Sequence, residues 1–199
     1  MIFLSGITIT FSILYPILSY QIKNPPPLIS PLVEDKTLKA STWFEDNKKS
    51  EDFVVSKVEI YTLSIPKLGI KNAITTIGGE DLSKSLIHYP GTALPGRIGN
   101  SVVFGHSALP IFFSPTNYKT IFATLPTLKI GDEIIVNYDG VTYRYIIEQL
   151  FDVLPTDIQI LEQDNSDSFI SLVTCIPPGD PRNPRRLIVR ARIVPLIRK

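Results

Sequence analysis

Three side chains of different chemistry stand at the ends of short β-like runs in this sequence: His106, Cys175 and Arg186. A cysteine attacks a carbonyl carbon as its thiolate, and a neighbouring cation favours that form. A histidine can protonate a leaving amine and later deprotonate an incoming one. An arginine keeps its charge and offers a planar fork of donors, which suits a tetrahedral oxyanion. The trio therefore predicts acyl transfer through a cysteine.

Each of these residues also has an ordinary structural explanation. Cys175 is the only cysteine, so it forms no internal disulfide, and it could be a buried, inert thiol. His106 could be a hydrogen-bonded structural histidine. The only other histidine, His88, lies in a turn-like His-Tyr-Pro-Gly stretch and is interpreted as structural. Arg185 competes with Arg186 for the third position, and the alternating pattern of the strand that follows favours Arg186.

The chain from residue 58 onward has the pattern of a β-protein. The predicted strands are residues 58–65, 72–77, 101–104, 134–138, 141–145, 169–175 and 187–194. Asp139-Gly140 is a type I′ turn signal between two of them. The strand that ends at Cys175 is almost continuously apolar, as expected of a central strand covered on both faces. A short helix is predicted at residues 81–87. Seven or eight short strands and 17 prolines predict a β-barrel or a sandwich.

The first part of the chain has the composition of a membrane anchor and a spacer. No charged residue occurs at residues 2–22, and about 20 apolar residues match one membrane-spanning helix. A cleaved signal peptide would show a basic start and a small-residue cleavage site, and neither is visible. We therefore predict a transmembrane helix at residues 1–22, a proline-rich, charged stalk at 23–57, and a catalytic domain at 58–199.

Composition excludes several other classes of protein. Lys and Arg total 20 and Asp and Glu total 19, so the net charge of +1 gives no electrostatic footprint for nucleic acid. An apolar fraction of 44% is that of a globular protein and not of a disordered one. Residues 112–118 carry no calcium-binding pattern. We expect no metal and no cofactor.

Four motifs resemble those of the sortase family in order and spacing. They are His-Tyr-Pro-Gly-Thr-Ala-Leu-Pro-Gly at 88–96, Phe-Gly-His at 104–106, Ser-Leu-Val-Thr-Cys at 171–175 and Arg-Leu-Ile-Val-Arg-Ala at 186–191. The resemblance extends from about residue 58 to residue 194. It implies a mostly-β, closed eight-stranded barrel with short helices in its loops. It also implies a cysteine transpeptidase whose catalytic residues are His106, Cys175 and Arg186.

The resemblance further implies a substrate class. Such enzymes cleave a Leu-Pro-x-Thr-Gly-like sorting signal between Thr and Gly through a thioacyl intermediate, and join the Thr carbonyl to a cell-wall amine. The partners would be surface proteins that carry the signal, a peptidoglycan precursor or other amine acceptor, and membrane lipid, with the domain outside the cytoplasm. The connection at residues 154–168 would form one wall of the substrate groove. The expected substrate-binding residues are Thr174, Leu154, Pro155, Ile158 and Ile160.

Two departures leave the subclass open, and two other functions stay possible at this stage. Ser107 and Ser171 stand where many relatives carry other residues. The chain could be a membrane-anchored adhesion or scaffold barrel with an inert cysteine, which low thiol reactivity would favour. It could also be a hydrolytic cysteine protease, which releases its product to water instead of to an amine.

Overall fold

The computed structural model describes residues 59–164, 166–179 and 185–195. The anchor predicted at residues 1–22 and the stalk predicted at 23–57 lie outside these ranges. Within them, no helix has the length and apolarity needed to cross a membrane.

Eight strands form one closed barrel in the order β1-β2-β3-β4-β7-β8-β6-β5. Neighbouring strands are antiparallel except for β2–β3 and β4–β7, which are parallel. The strands are β1 (Ile60–Ile65), β2 (Ile70–Ile77), β3 (Leu86–His88), β4 (Gly99–Phe104), β5 (Glu133–Tyr138), β6 (Val141–Val153), β7 (Ser168–Ile176) and β8 (Arg185–Ile193). Single-turn 3₁₀ helices occupy Pro66–Leu68, Pro110–Phe112, Leu125–Thr127 and Ile158–Leu161. The predicted mostly-β, closed eight-stranded barrel with short helices in its loops is confirmed.

The predicted hairpin is present, with a second strand that is longer than expected. Asp139 has φ 49° and Gly140 has φ 74°, as a type I′ turn requires. β6 continues to Val153 and pairs with β8 over most of its length. A bulge between Ile147 and Gln149 interrupts its alternation, which is why the sequence pattern ends early.

The short helix predicted at residues 81–87 is wrong. The carboxylate of Asp81 accepts hydrogen bonds from the backbone N–H of Ser83 at 3.0 Å and from its hydroxyl at 2.5 Å. Such a bond favours a local turn over a continuing helix. The chain then enters β3, where Leu86 pairs with Thr75 of β2 and is fully buried.

Two apolar clusters lie on opposite faces of the strands. The first contains residues from all eight strands and fills the barrel, with Leu172 of β7 among them. The second contains only residues near β3, β4, β7 and β8, and it lies on the outside of the barrel. Successive side chains of a strand point to opposite faces, so Val173 belongs to this outer cluster. The outer cluster consists of Leu82, Ile87, Val102, Phe104, Val173 and Ile188.

His88 ends β3 and has a structural environment. It is 1% exposed, and its Nδ1 lies 3.0 Å from the hydroxyl of Tyr61. The hydroxyl of Thr92 donates to the carbonyl of Tyr89 at 2.7 Å, so it accepts from Nε2–H of His88 at 3.1 Å. Both ring nitrogens of the neutral imidazole are therefore satisfied. Burial lowers the pKa of His88 to about 4.

This lowered pKa predicts acid sensitivity. The unfolded chain binds a proton at His88 near pH 6.5, whereas the folded protein does not until about pH 4. The free energy of unfolding therefore has its full value above pH 6.5. It falls by about 3 kcal/mol as the pH is lowered from 6.5 to about 4. Urea unfolding at pH 7, 5.5 and 4 should show this loss, and His88→Gln should show a smaller one. Equal pH dependence in the two proteins would contradict the assignment.

Candidate active site

The ends of β4 and β7 lie side by side because these strands are parallel neighbours. Phe104 pairs with Val173, and the N–H of Gly105 donates to the carbonyl of Val173 at 3.1 Å. His106 is two residues beyond Phe104, and Cys175 is two residues beyond Val173. The candidate side chains of His106 and Cys175 therefore lie at the same end of the barrel, beside the outer-face residues Phe104 and Val173.

Two buried hydroxyl groups fasten these strand ends together. The hydroxyl of Thr174 donates to the carbonyl of Gly105 at 2.8 Å, and that of Ser107 donates to the carbonyl of Cys175 at 2.8 Å. Each bond joins a neighbour of one candidate catalytic residue to the backbone beside the other. Thr174, predicted to bind substrate, is fully buried. Its hydroxyl joins the two strand ends, and its part in substrate binding stays a prediction.

The third candidate residue, Arg186, lies on β8, the strand that pairs with β7 on the side away from β4. Arg186 of β8 is the direct partner of Cys175, and residues so paired have Cβ atoms about 4.5–5.5 Å apart. Arg185 pairs with Ile176, and its guanidinium forms an ion pair with Asp152 at 2.8 Å. Because adjacent residues face opposite sides, Arg186 and not Arg185 shares the face of Cys175.

The electrostatic environment of Cys175 combines two opposing effects. The side chain is partly buried against the outer cluster, and burial raises the pKa of its thiol. The charge of Arg186 lowers the pKa but is the smaller effect. Burial therefore favours the thiol over the thiolate in this arrangement. A nearby proton acceptor is needed to generate the thiolate, and His106 stands at the adjoining strand end.

Removal of the charge at position 186 should make the thiol less reactive. We expect Arg186→Ala to slow alkylation of Cys175 by iodoacetamide at pH 7.5 at least about threefold, because the pKa rises further. Arg185→Ala makes the same change in net charge and should have little effect. Arg186→Lys should restore alkylation, since lysine keeps the positive charge. Equal slowing in the Arg185 and Arg186 variants would contradict the local effect.

Gly105 allows the chain to pass beneath an aromatic ring just before His106. A Cβ at Gly105 would lie 2.2 Å from Cδ2 of Phe122, whose ring is fully buried. The backbone N–H of Phe122 donates to the carbonyl of His106 at 3.1 Å, so the ring cannot move away without disturbing the histidine. The glycine is therefore a steric requirement of this strand end.

Gly105→Ala should destabilise the fold and impair the site together. Overpacking of this kind costs about 1–3 kcal/mol. Thermal unfolding should show the loss, and Phe122→Leu in the same chain should recover part of it by shortening the obstructing side chain. An unchanged melting temperature in the single variant would contradict the contact.

The remaining predicted substrate residues lie in the β6–β7 connection, which we define as residues 154–167. Leu154 is 50% and Ile158 is 38% exposed, and Pro155 is partly buried. Ile160 packs against the outer cluster, as does Cys175. The connection therefore borders the face that carries the thiol. Its attachment to the barrel involves Asn100 and Gln163, which no sequence pattern indicated.

No metal site is visible around these residues. In the described ranges, no group of three or more His, Cys, Asp or Glu side chains could hold a metal ion.

The fold and the strand ends together define a β-barrel with a partly buried thiol at an outer strand end. The Sortase domain family matches residues 63–194, and the chain belongs to the sortase family. The resemblance seen in the four sequence motifs is thus confirmed.

Known sortases resemble the chain in sequence and in structure. Sortase A of Staphylococcus aureus is 29% identical over 99 residues, which are 44% of this chain and 47% of that protein, so the match spans about half of that relative. Sortase A from Corynebacterium diphtheriae is 32% identical with a TM-score of 0.59, covering 71% of this chain and 63% of that one. A Clostridium perfringens Sortase D5 transpeptidase is 26% identical with a TM-score of 0.58, covering 69% and 79%.

Proposed function

We propose that this protein is a cysteine transpeptidase that cleaves a Leu-Pro-x-Thr-Gly-like sorting signal between Thr and Gly and transfers the acyl group to a cell-wall amine. Membership of the sortase family supports transpeptidation in general. The observation that carries the proposal is the position of Cys175, directly opposite Arg186 and hydrogen-bonded through its neighbours to the strand end of His106. These three residues are the proposed catalytic residues.

The proposed reaction has two balanced halves. Cys175 Sγ attacks the threonine carbonyl carbon while its proton passes to His106, and Arg186 stabilises the oxyanion. The C–N bond then breaks, and His106 returns the proton to the leaving glycine amine. In the second half an acceptor amine attacks the thioester and loses a proton through His106. The C–S bond breaks, and Cys175 is released as a thiol.

The β6–β7 connection supplies the apolar surface for the Leu-Pro end of the signal in this proposal. Leu154 and Ile158 are exposed apolar side chains near the outer face, and such surface on a soluble domain fits an apolar ligand. Pro155 lies between them, and Ile160 packs underneath. Specificity for the two apolar residues would therefore arise from this connection and not from the trio.

The proposed partners and location follow from the same reaction. The acyl donor would be a surface protein with a C-terminal sorting signal, and the acceptor would be a peptidoglycan precursor or another amine. We also propose that residues 1–22 anchor the chain in the membrane with the barrel outside, because their apolar length matches one span. Retention in membranes after alkaline washing, with digestion of the barrel by protease added to intact cells, tests this. Protection of the barrel would contradict it.

Product analysis tests the proposed function directly. The protein should be incubated with a library of sorting-signal peptides, with and without triglycine, and the products identified by mass spectrometry. We expect products in which the threonine carbonyl is joined to triglycine. Release of the free acid at the same rate with and without amine would indicate a hydrolytic protease instead. No product from any peptide would favour an inert scaffold or adhesion module.

A further inference from the structure

The amide side chain of Gln163 is one attachment of the β6–β7 connection to the barrel, beside the ion pair of Asp164 with Arg190 of β8 at 2.9 Å. Its Oε1 accepts hydrogen bonds from the backbone N–H groups of Ala93 and Asn100, both at 3.0 Å. Its Nε2 donates to the carbonyl of Asn100 at 3.2 Å and to that of Leu161 at 2.9 Å. A glutamine amide has two donor hydrogens and one acceptor oxygen with two lone pairs, so these four bonds use all of them.

A second amide, that of Asn100 on β4, joins the same connection to β7. It is 1% exposed, and its Nδ2 donates to the carbonyl of Ile160 at 3.0 Å. Its Oδ1 accepts from the hydroxyl of Ser171 at 2.8 Å. Ser171 precedes Cys175 on β7, and Asn100 precedes His106 on the chain through β4. The two amides therefore fasten the connection to the strands that lead to the thiol and the imidazole.

The backbone beside Asn100 is shaped to admit Gln163. Gly99 has φ 123°, a conformation that favours glycine. A Cβ at this position would lie 2.7 Å from Oε1 of Gln163 and 2.7 Å from Cβ of Ala93. Any larger residue would displace the amide from its hydrogen bonds.

The attachment fixes how the connection meets the outer face. Leu161 accepts one of the bonds of Gln163, and Ile160 accepts the bond of Asn100. Both side chains pack against the outer cluster, with which Cys175 is also in contact. The exposed residues Leu154 and Ile158 belong to the same connection. The two amides therefore contribute to the position of these residues relative to the thiol.

We propose that Asn100 and Gln163 are positioning residues. They hold the β6–β7 connection against the outer face in the position that binds the apolar part of the peptide substrate. This inference rests on the proposed function. The amides touch no reacting atom, so they act on substrate binding through Leu154 and Ile158. Loss of the attachment should weaken the peptide complex and leave the chemistry of Cys175 unchanged.

Gln163→Met is the most informative variant, because it removes all four hydrogen bonds at nearly constant size on an exposed residue. We expect KM for a Leu-Pro-x-Thr-Gly peptide to rise about tenfold, which corresponds to about 1.4 kcal/mol of the energy of these four hydrogen bonds. We expect kcat and the alkylation rate of Cys175 to stay within twofold. Hydrogen exchange in residues 154–164 should become faster.

Two further variants separate the attachment from general damage. Gln163→Glu keeps an oxygen for the two accepted bonds but places a second, charged oxygen against the carbonyls of Asn100 and Leu161, so its KM should be at least as high as that of Gln163→Met. Glu162→Gln changes the exposed neighbouring side chain and should leave KM and exchange unchanged.

The outcomes distinguish this inference from the proposed function. An unchanged KM in Gln163→Met, with faster or unchanged exchange, would overturn the inference while the wild type remains an active transpeptidase. An equal fall in kcat and in the alkylation rate would also overturn it, because the site itself would then be disturbed. Inactivity of the wild type toward every peptide would overturn the proposed function and the inference with it.

Discussion

Replacement of Cys175 by alanine is expected to abolish both peptide cleavage and acyl transfer, with kcat reduced by about 10⁴-fold or more. The chain has no second cysteine that could replace it as nucleophile. In the proposed reaction every bond change at the threonine carbonyl passes through Sγ, so the remaining groups have no covalent route. Chromatographic assay of cleaved peptide and of amine adduct measures the loss.

The fold should tolerate this change, which makes the activity result interpretable. Cys175 is partly buried at the end of β7, and deletion of one sulfur removes little packing volume. The far-ultraviolet circular dichroism and the cooperative unfolding transition of Cys175→Ala should match those of the wild type. Turnover above a few per cent of wild type in a folded Cys175→Ala protein would refute the assigned nucleophile.

His106→Ala is expected to lower kcat by about 10²–10⁴-fold with a smaller change in KM. The histidine is proposed to move a proton four times in each cycle and to bind no part of the peptide tightly. Its removal leaves Cys175 as a thiol whose pKa is raised by burial, with no neighbouring acceptor assigned to take the proton. Steady-state kinetics with a sorting-signal peptide measures the effect.

Added imidazole provides the matching control for His106. The small base can occupy the space left by the side chain and should restore part of the activity of His106→Ala, while it should not restore Cys175→Ala. Full activity of His106→Ala would show that His106 has no part in the reaction. A loss confined to KM would show that it positions substrate and does not transfer protons.

The strand ends at which the candidate residues lie could be predicted from the sequence, because they depend on local alternation and turn patterns. The alternation of β8 fixes which of Arg185 and Arg186 faces the outside, and the loop after β7 requires Cys175 and Arg186 to meet at one end. The turn at Asp139-Gly140 was likewise predictable from the residues that tolerate positive φ. The closure of the barrel was predicted from the family resemblance alone.

The parts that sequence patterns missed depend on contacts between distant residues. β3 has only three residues, and its partner β2 is parallel, so no hairpin signal exists. The attachment of Gln163 to Asn100 joins residues 63 positions apart through single polar side chains, which produce no periodicity. The role of Thr174 is similar, because its burial under Gly105 follows from the parallel pairing of β4 with β7.

Intact-protein mass spectrometry of a trapped intermediate tests the central claim most directly. The protein should be mixed with a Leu-Pro-x-Thr-Gly peptide in the absence of amine, acidified within seconds, and digested to locate the modified residue. We expect Cys175 to carry added mass equal to that of the peptide acyl group. This adduct should disappear when triglycine is supplied before acidification, as the ligated peptide forms. Turnover of the peptide with no adduct on Cys175, or with the acyl group on another residue, would contradict it.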